Sequence, residues 1–134
     1  MSAAQSEIDA LIGAFYAAFD NRGGHAPRIA ALRAMFAPDA RVTRVSAEGV
    51  ASWSVDQFIA PREAMLTDGT LTEFREWETE AETQMLDRIA SRRSAYRKSG
   101  TLNGAAYGGE GRKFIQLCHT EGGWRIVSVL WEDL

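Results

Sequence analysis

Cysteine and histidine are scarce in this sequence, and their scarcity argues against two kinds of site. The 134 residues include one cysteine, Cys118, and two histidines, His25 and His119, which lie far apart in the chain. A single cysteine forms no disulfide within the chain, and inside an apolar strand it is expected to be a small buried side chain in a reducing compartment. Zinc and iron sites need several Cys or His ligands at close spacing. We therefore expect neither a disulfide nor a bound metal.

Long apolar runs and an excess of positive charge are also missing. No apolar run approaches the roughly 20 residues of a membrane-spanning helix, and the N-terminal segment carries Glu7 and Asp9 instead of the basic residues of a secretory signal. The formal net charge of −3 provides no basic field for nucleic acid. We expect one cytoplasmic domain over residues 1–134, with neither nucleic acid nor a membrane as a partner.

The first half of the sequence has apolar residues at helical spacing. Helices are predicted over residues 6–21, 27–36 and 54–67, and short strands over 40–46 and 49–53. The first helix carries a single apolar stripe, made of Ile8, Leu11, Ile12, Phe15 and Phe19. The third begins after Ser54, which with Gln57 has the capping-box pattern. Pro61 is expected to kink or restart that helix.

The second half has strand patterns over residues 71–85, 89–98, 112–119 and 124–133. The glycine-rich segment 99–111 between the middle two strands is predicted to be a mobile loop. Helices followed by antiparallel strands indicate an α+β fold, in which the helices pack on one side of a sheet.

The last two predicted strands form a hairpin with two apolar faces. If Gly122 and Gly123 are a two-residue turn, Ile115 opposes Leu130 on a face that suits the helices. Because the other apolar face would promote aggregation in water, we expect a second copy of the chain to cover it in a homodimer. The alternative is a sheet that curls until its own loops shield this face. The predicted dimer interface consists of Phe114, Gln116, Val127, Val129 and Trp131.

The order of these elements, together with the stretches "FYAAFDNRG", "LRAMFAPDARV" and "GGWRIVSVLWEDL", resembles the nuclear transport factor 2-like superfamily. This is the cone fold of ketosteroid isomerases, scytalone dehydratase and SnoaL-like polyketide cyclases, and the chain is most similar to its bacterial members of unknown function. The resemblance implies about three N-terminal helices on the concave face of a strongly curved, mainly antiparallel sheet, a cone or half-barrel. It also implies a pocket between helices and sheet, frequent homodimers, and no cofactor.

The catalytic residues of those enzymes do not carry over. The resemblance places the isomerase oxyanion-hole tyrosine at Phe15 and the general base at Arg44, and an arginine accepts no proton at neutral pH. The paired histidines of the dehydratase have no counterpart in His25 and His119. The acid of the cyclases corresponds to Glu132 or Asp133, which the predicted register sets against Lys113 and Arg112 as cross-strand ion pairs.

The candidate site is therefore assembled from pocket-facing residues. Glu76 and Glu78 lie in an acidic strand as candidate acids or bases, although an arginine such as Arg92 beside them favours an ion pair. The candidate catalytic residues are Glu78, Arg92 and Tyr96, and the candidate ligand-binding residues are Phe15, Phe19, Trp53 and Phe58. We expect a protein that binds an apolar or aromatic small molecule, with proton-transfer chemistry (isomerase, dehydratase or cyclase) as an extension. A non-catalytic ligand-sensing or dimerisation module is the alternative.

Overall fold

A computed structural model describes residues 2–134, which form three α-helices and six β-strands. The helices are α1 (Ala3–Ala17), α2 (Leu32–Met35) and α3 (Val55–Thr67). The strands are β1 (Phe36–Ser46), β2 (Gly49–Ser54), β3 (Leu71–Leu86), β4 (Ile89–Leu102), β5 (Ala105–Thr120) and β6 (Gly123–Asp133). Within residues 2–134, no helix has the length and apolar character needed to cross a membrane.

The six strands form one open sheet in the order β2-β1-β6-β5-β4-β3. Every neighbouring pair is antiparallel except β1 and β6, which run parallel. The helices pack on one face of this sheet, so the predicted α+β class is confirmed. We call the helix-covered side the concave face and the opposite side the outer face.

Several predicted elements have other bounds in the structure, and the first helix spans Ala3–Ala17 where 6–21 was predicted. The helix predicted over 27–36 is reduced to a 3₁₀ turn, Ile29–Ala31, and the single turn of α2. It ends within one residue of the predicted end, since Phe36 is already paired with Ile126 in the sheet, but its α-helical part begins only at Leu32. In contrast, α3 lies where it was predicted, and Ser54 and Gln57 form the capping box. The restart considered at Pro61 does not occur, because one helix continues through this residue.

The glycine-rich segment 99–111 is paired strand rather than a mobile loop. β4 and β5 stay in register from Ile89 opposite Cys118 to Leu102 opposite Ala105. Their turn is Asn103-Gly104, with φ of 50° and 82°. Asn-Gly is the preferred dipeptide where both central residues of a hairpin turn need positive φ. The sequence contained this signal, and the abundance of glycine obscured it.

The core lies between the concave face and the helices, and a buried asparagine joins its parts. Asn21, just after α1, donates through its side chain to the carbonyls of Leu66 (2.9 Å) and Leu71 (2.8 Å). Its Oδ1 accepts from the Phe74 amide at 2.8 Å. Because each of these polar groups is satisfied, Asn21 fixes the end of α1 against α3 and β3 and leaves no side-chain polar group buried without a partner.

The predicted register of the last hairpin is wrong. Thr120 pairs with Gly123 and Leu117 with Ile126, but after an irregularity Gln116 pairs with Ser128. The extra residue, Val127, is a β-bulge, which reverses the faces of the remainder of β6. Both faces are apolar, so alternation alone did not reveal the bulge.

This bulge corrects part of the predicted dimer interface. Val129 and Trp131 lie buried on the concave face, in register with Ile115 and Lys113, so their assignment to the interface is wrong. Phe114 is 51% exposed on the outer face. The other exposed apolar residues of that face on these strands are Val127 and Leu130, beside exposed Gln116.

Candidate functional site

A cavity of about 300 Å³ lies between α1, α3 and the concave face of the sheet. Aromatic side chains from both layers form much of its wall. They are Phe15, Phe19, Phe58, Phe74, Tyr96, Tyr107 and Trp131. Phe19 and Phe58 meet edge to face, as do Phe58 and Trp131, which is a preferred geometry for ring pairs. The cavity therefore offers flat apolar surfaces held in fixed orientations.

Charged side chains also line this cavity, and the deepest is Lys113 on β5. It is 7% exposed, and its Nζ lies 3.2 Å from Glu76 Oε1 and 3.7 Å from the centre of the Tyr96 ring. Burial lowers the pKa of Lys113 below the ordinary lysine value, although the charge of Glu76 opposes this shift. The bulge in β6 brings Trp131 to the cavity, opposite Lys113.

A second polar group lies at the end of β6. The Tyr96 hydroxyl donates a hydrogen bond to Asp133 Oδ1, and Lys98 Nζ lies 3.1 Å from the same oxygen. Burial and this hydrogen bond raise the pKa of Tyr96, so the hydroxyl stays protonated. Burial alone would raise the pKa of Asp133, but the Tyr96 hydrogen bond and the Lys98 charge outweigh it and lower that pKa. Asp133 is therefore an ionised carboxylate.

Two arginines complete the lining, Arg62 on α3 and Arg44 on β1. The Arg62 guanidinium lies 3.9 Å from the centre of the Phe58 ring, and within 6 Å of Trp53 and Trp131. Its Nη1 donates to the Phe58 carbonyl at 3.1 Å. Burial lowers the pKa of Arg62 to about 10. Neither arginine has a carboxylate within 4 Å among residues 2–134.

The known structures that resemble this chain share its architecture. No protein-family model and no characterised protein matches the sequence. Among solved structures, Kfla4162 from Kribbella flavida covers 97% of this chain and 90% of its own at TM-score 0.78 and 15% identity. An NTF2-like superfamily protein from Salmonella enterica serovar Typhimurium LT2 covers 97% and 90% at TM-score 0.78 and 14% identity. An NTF2-like protein with a cystatin-like fold from Novosphingobium aromaticivorans covers 98% and 82% at TM-score 0.74 and 18% identity.

The chain has the nuclear transport factor 2-like fold. The resemblance noted in the sequence is thus confirmed as a likeness of fold. At these identities the comparison carries no residue roles, so the site is interpreted from its own geometry.

Most of the predicted ligand-binding residues lie at the cavity of this nuclear transport factor 2-like fold. Phe15, Phe19 and Phe58 line it, as does Tyr96 from the catalytic set. Trp53 does not line the cavity but stacks on Trp131, with ring centres 5.9 Å apart and planes 26° from parallel. It supports the wall from behind.

Glu78 and Arg92, the other two catalytic candidates, do not reach the cavity lining. Arg92 Nη2 lies 2.6 Å from Glu78 Oε1, and its Nη1 lies 2.6 Å from Asp9 Oδ1. The pKa of Asp9 is lowered by its hydrogen bond from Arg92. The ion pair expected as the alternative for a glutamate beside Arg92 is therefore present, and it ties α1 to the sheet.

This ion pair extends into a chain of hydrogen bonds. Ser94 Oγ donates to Glu78 Oε2 at 2.6 Å and lies 2.7 Å from the Tyr16 hydroxyl. Burial raises the pKa of Tyr16, so it stays a neutral partner. Because every member has a partner, the arrangement fits a structural role better than proton transfer.

Sequence reasoning missed the cationic part of the cavity. Lys98 is the last residue of a predicted strand, where alternation gives no firm assignment to a face. Arg62 lies on the third predicted helix, whose sequence pattern does not show which of its sides contacts the sheet. Lys113 and Asp133 were assigned partners by the wrong register: Arg112 pairs with Glu132, and Asp133 is bound by Tyr96 and Lys98. The period-two spacing of Phe74 and Glu76 could have placed Glu76 on the concave face.

Metal ligands are not grouped in the described part of the chain. Within residues 2–134, no three or more His, Cys, Asp or Glu side chains are arranged to hold an ion. His25 lies 3.3 Å from Asp20, and the ring of His119 packs on Trp124.

Proposed function

We propose that this protein binds a small, largely aromatic molecule in the cavity between α3 and the concave face. The observation that carries the proposal is the wall of aromatic rings, contributed by α1, α3 and the sheet. Ligand pockets are typically concave and lined by apolar and aromatic side chains, with a few placed polar groups. The cavity is more polar than the apolar pocket predicted from the sequence, because charged side chains line it together with the aromatic rings.

The volume of the cavity limits the size of the ligand. A cavity of about 300 Å³ lies at the small end of the range for ligand sites. An apolar cavity of about 150 Å³ accommodates benzene. A molecule with one or two fused rings therefore fits, whereas a four-ring steroid skeleton does not.

Binding alone accounts for the polar groups better than catalysis does. A general base needs an ionisable group that faces the ligand with a pKa near the working pH. Glu76 is paired with Lys113, and Asp133 is paired with Lys98 and Tyr96. Both carboxylates are thus held by cations, which disfavours proton abstraction.

Calorimetric titration with 2-naphthamide, a neutral two-ring compound, tests the proposal. We expect the wild-type protein to bind it and Met65→Trp, which adds a ring to the cavity wall on α3, to lose the binding. Val50→Trp is the matched control, since Val50 is exposed on β2 away from the cavity. The proposal fails if the wild type binds neither 2-naphthamide nor indole. It also fails if Met65→Trp binds 2-naphthamide as tightly as Val50→Trp does.

A second candidate function is proton transfer at Asp133, because this carboxylate is the ionised group that lies at the cavity beside a neutral hydroxyl donor, although its partners reduce its basicity. Asp133 is an ionised acceptor at the cavity, oriented by a neutral donor. With 2-tetralone in D₂O, this function predicts exchange of the α-protons that NMR detects and that Asp133→Asn abolishes. An exchange rate equal to that in buffer would leave binding as the function of the cavity.

A further inference from the structure

The cavity contains more cations than anions. Arg44, Arg62, Lys98 and Lys113 line it together with two carboxylates, Glu76 and Asp133. Each lysine is within 3.2 Å of one of these carboxylates. The two positive charges left over are therefore those of the arginines.

Arg62 occupies an unfavourable environment for an unpaired cation. Most of its surface is buried against aromatic rings, and burial of a guanidinium without an anion costs free energy. The lowered pKa of Arg62 is caused first by burial; the charge of Glu76 opposes this shift, and the nearby charge of Arg44 adds to it. The fold thus places two like charges near one another, and within residues 2–134 neither has a carboxylate within 4 Å.

The rings hold Arg62 in place but do not satisfy its hydrogen-bonding groups. A guanidinium has five N–H donors in a planar fork, and among residues 2–134 one donor of Arg62 is bonded, to the Phe58 carbonyl. Stacking at 3.9 Å on Phe58 occupies a face of the guanidinium plane and leaves its edge free. Arg44 lies 5.9 Å from the Trp53 ring, which Arg62 also approaches at 5.8 Å. Both guanidinium groups therefore lie beside the same ring, and both residues line the cavity.

We propose that the ligand of this cavity is an aromatic carboxylate whose anionic group binds between Arg44 and Arg62 while its rings lie among Phe19, Phe58 and Trp131. This inference rests on the proposed function and adds the chemical class of the ligand. Arginine binds carboxylates through two parallel hydrogen bonds, and a bound anion offsets the repulsion between the two cations.

The test compares 2-naphthoate with 2-naphthamide, which have the same rings and differ in charge. By calorimetry at pH 7, the wild type should bind the carboxylate about tenfold tighter or more, the gain typical of charged hydrogen bonds. Arg62→Met and Arg44→Met should each remove most of this preference and retain the affinity for the amide. Arg112→Met is the matched control, because Arg112 is exposed on the outer face and should keep the preference.

The two proposals fail differently in this experiment. Equal wild-type affinity for both compounds overturns the anion site and leaves aromatic binding intact, and no binding of either compound overturns the proposed function itself. The ratio of wild-type affinities for 2-naphthoate and 2-naphthamide tests the anion site even if an arginine variant does not fold. Retention of the preference in both folded arginine variants would also overturn the assignment.

Discussion

At the scale of single residues, the chemistry of the cavity depends on which charges are paired. Lys113 and Glu76 have side chains that are 6% and 12% exposed, which makes them the most deeply buried ion pair of residues 2–134. Removal of one partner of a buried pair leaves an uncompensated charge, whereas removal of both is far less costly.

We expect Glu76→Gln to lower the free energy of unfolding by about 3–5 kcal/mol, because it leaves the Lys113 charge buried without a counterion. The double variant Lys113→Met/Glu76→Gln should be more stable than Glu76→Gln alone. Urea denaturation of the two single variants and the double variant measures this coupling. Additive losses would show that the pair is not coupled.

Asp133 should contribute to stability in a pH-dependent way. Its folded-state pKa is lowered from 3.8, so its stabilising contribution is present above that value and is lost as the pH falls through the lower folded pKa. Asp133→Asn should therefore be less stable than wild type at neutral pH, and its unfolding free energy should decrease less steeply below about pH 4. Parallel denaturation curves at pH 3 and pH 7 measure this, with exposed Asp39→Asn as the control.

At the scale of elements, the glycine-rich start of β5 is an adaptation to close packing. A Cβ at Gly111 would lie 2.2 Å from the Tyr96 hydroxyl oxygen and 2.5 Å from the Glu132 carbonyl oxygen. Real Cβ atoms do not approach so closely, so only glycine allows Tyr96 to reach Asp133. Gly111 belongs to a segment whose glycine content is typical of a loop, but here glycine is needed for the contact between Tyr96 and Asp133 in the candidate site.

Gly111→Ala should displace the Tyr96 ring and destabilise the protein by about 1–3 kcal/mol, the usual cost of overpacking. Gly104→Asn is a useful comparison, because nothing lies within 4 Å of a Cβ there and asparagine tolerates the positive φ of this turn. Thermal unfolding should separate the two variants. Equal melting temperatures would contradict the account of Gly111.

The elements also show how far sequence reasoning reached. Helical spacing and the capping box located α1 and α3, because burial of one helix face is recorded directly in the residue pattern. The concave cluster of Phe15, Phe19 and Phe58 followed from that pattern. The bulge at Val127 could not be derived, since β6 is apolar on both sides and a change of register leaves its composition the same. The wrong partner predicted for Lys113 is a consequence of that shift, because Trp131 and not Glu132 lies opposite it.

At the scale of the whole molecule, the outer face of the sheet remains exposed and partly apolar. Phe114, Val127 and Leu130 lie on it, and Leu86 and Ile89 extend it along the β3–β4 hairpin. Homodimerisation through this face stays a prediction. The predicted interface residues now include Leu130 and no longer include Val129 and Trp131, which are buried on the concave face. A protein surface of this kind is typically covered by a partner.

Sedimentation equilibrium at micromolar concentration tests the dimer. We expect a mass about twice the 14.8 kDa of the chain, and a monomer for Phe114→Arg, since a buried unpaired charge disrupts an apolar interface. Val50→Arg, on an exposed site of β2, should leave the mass unchanged. A wild-type mass of one chain would contradict the prediction.

The most direct test of the account as a whole is methyl NMR of Ile-, Leu- and Val-labelled protein titrated with 2-naphthamide. Aromatic rings shift the resonances of methyl groups that they contact, so the spectrum reports where the ligand lies. We predict saturable shifts at Leu66, Leu71 and Val129, which line the cavity, and none at Val127, Leu130 and Ile89 on the outer face. Shifts confined to the outer-face methyls, or no shifts at the highest concentration reached, would contradict the claim that this cavity is a binding site.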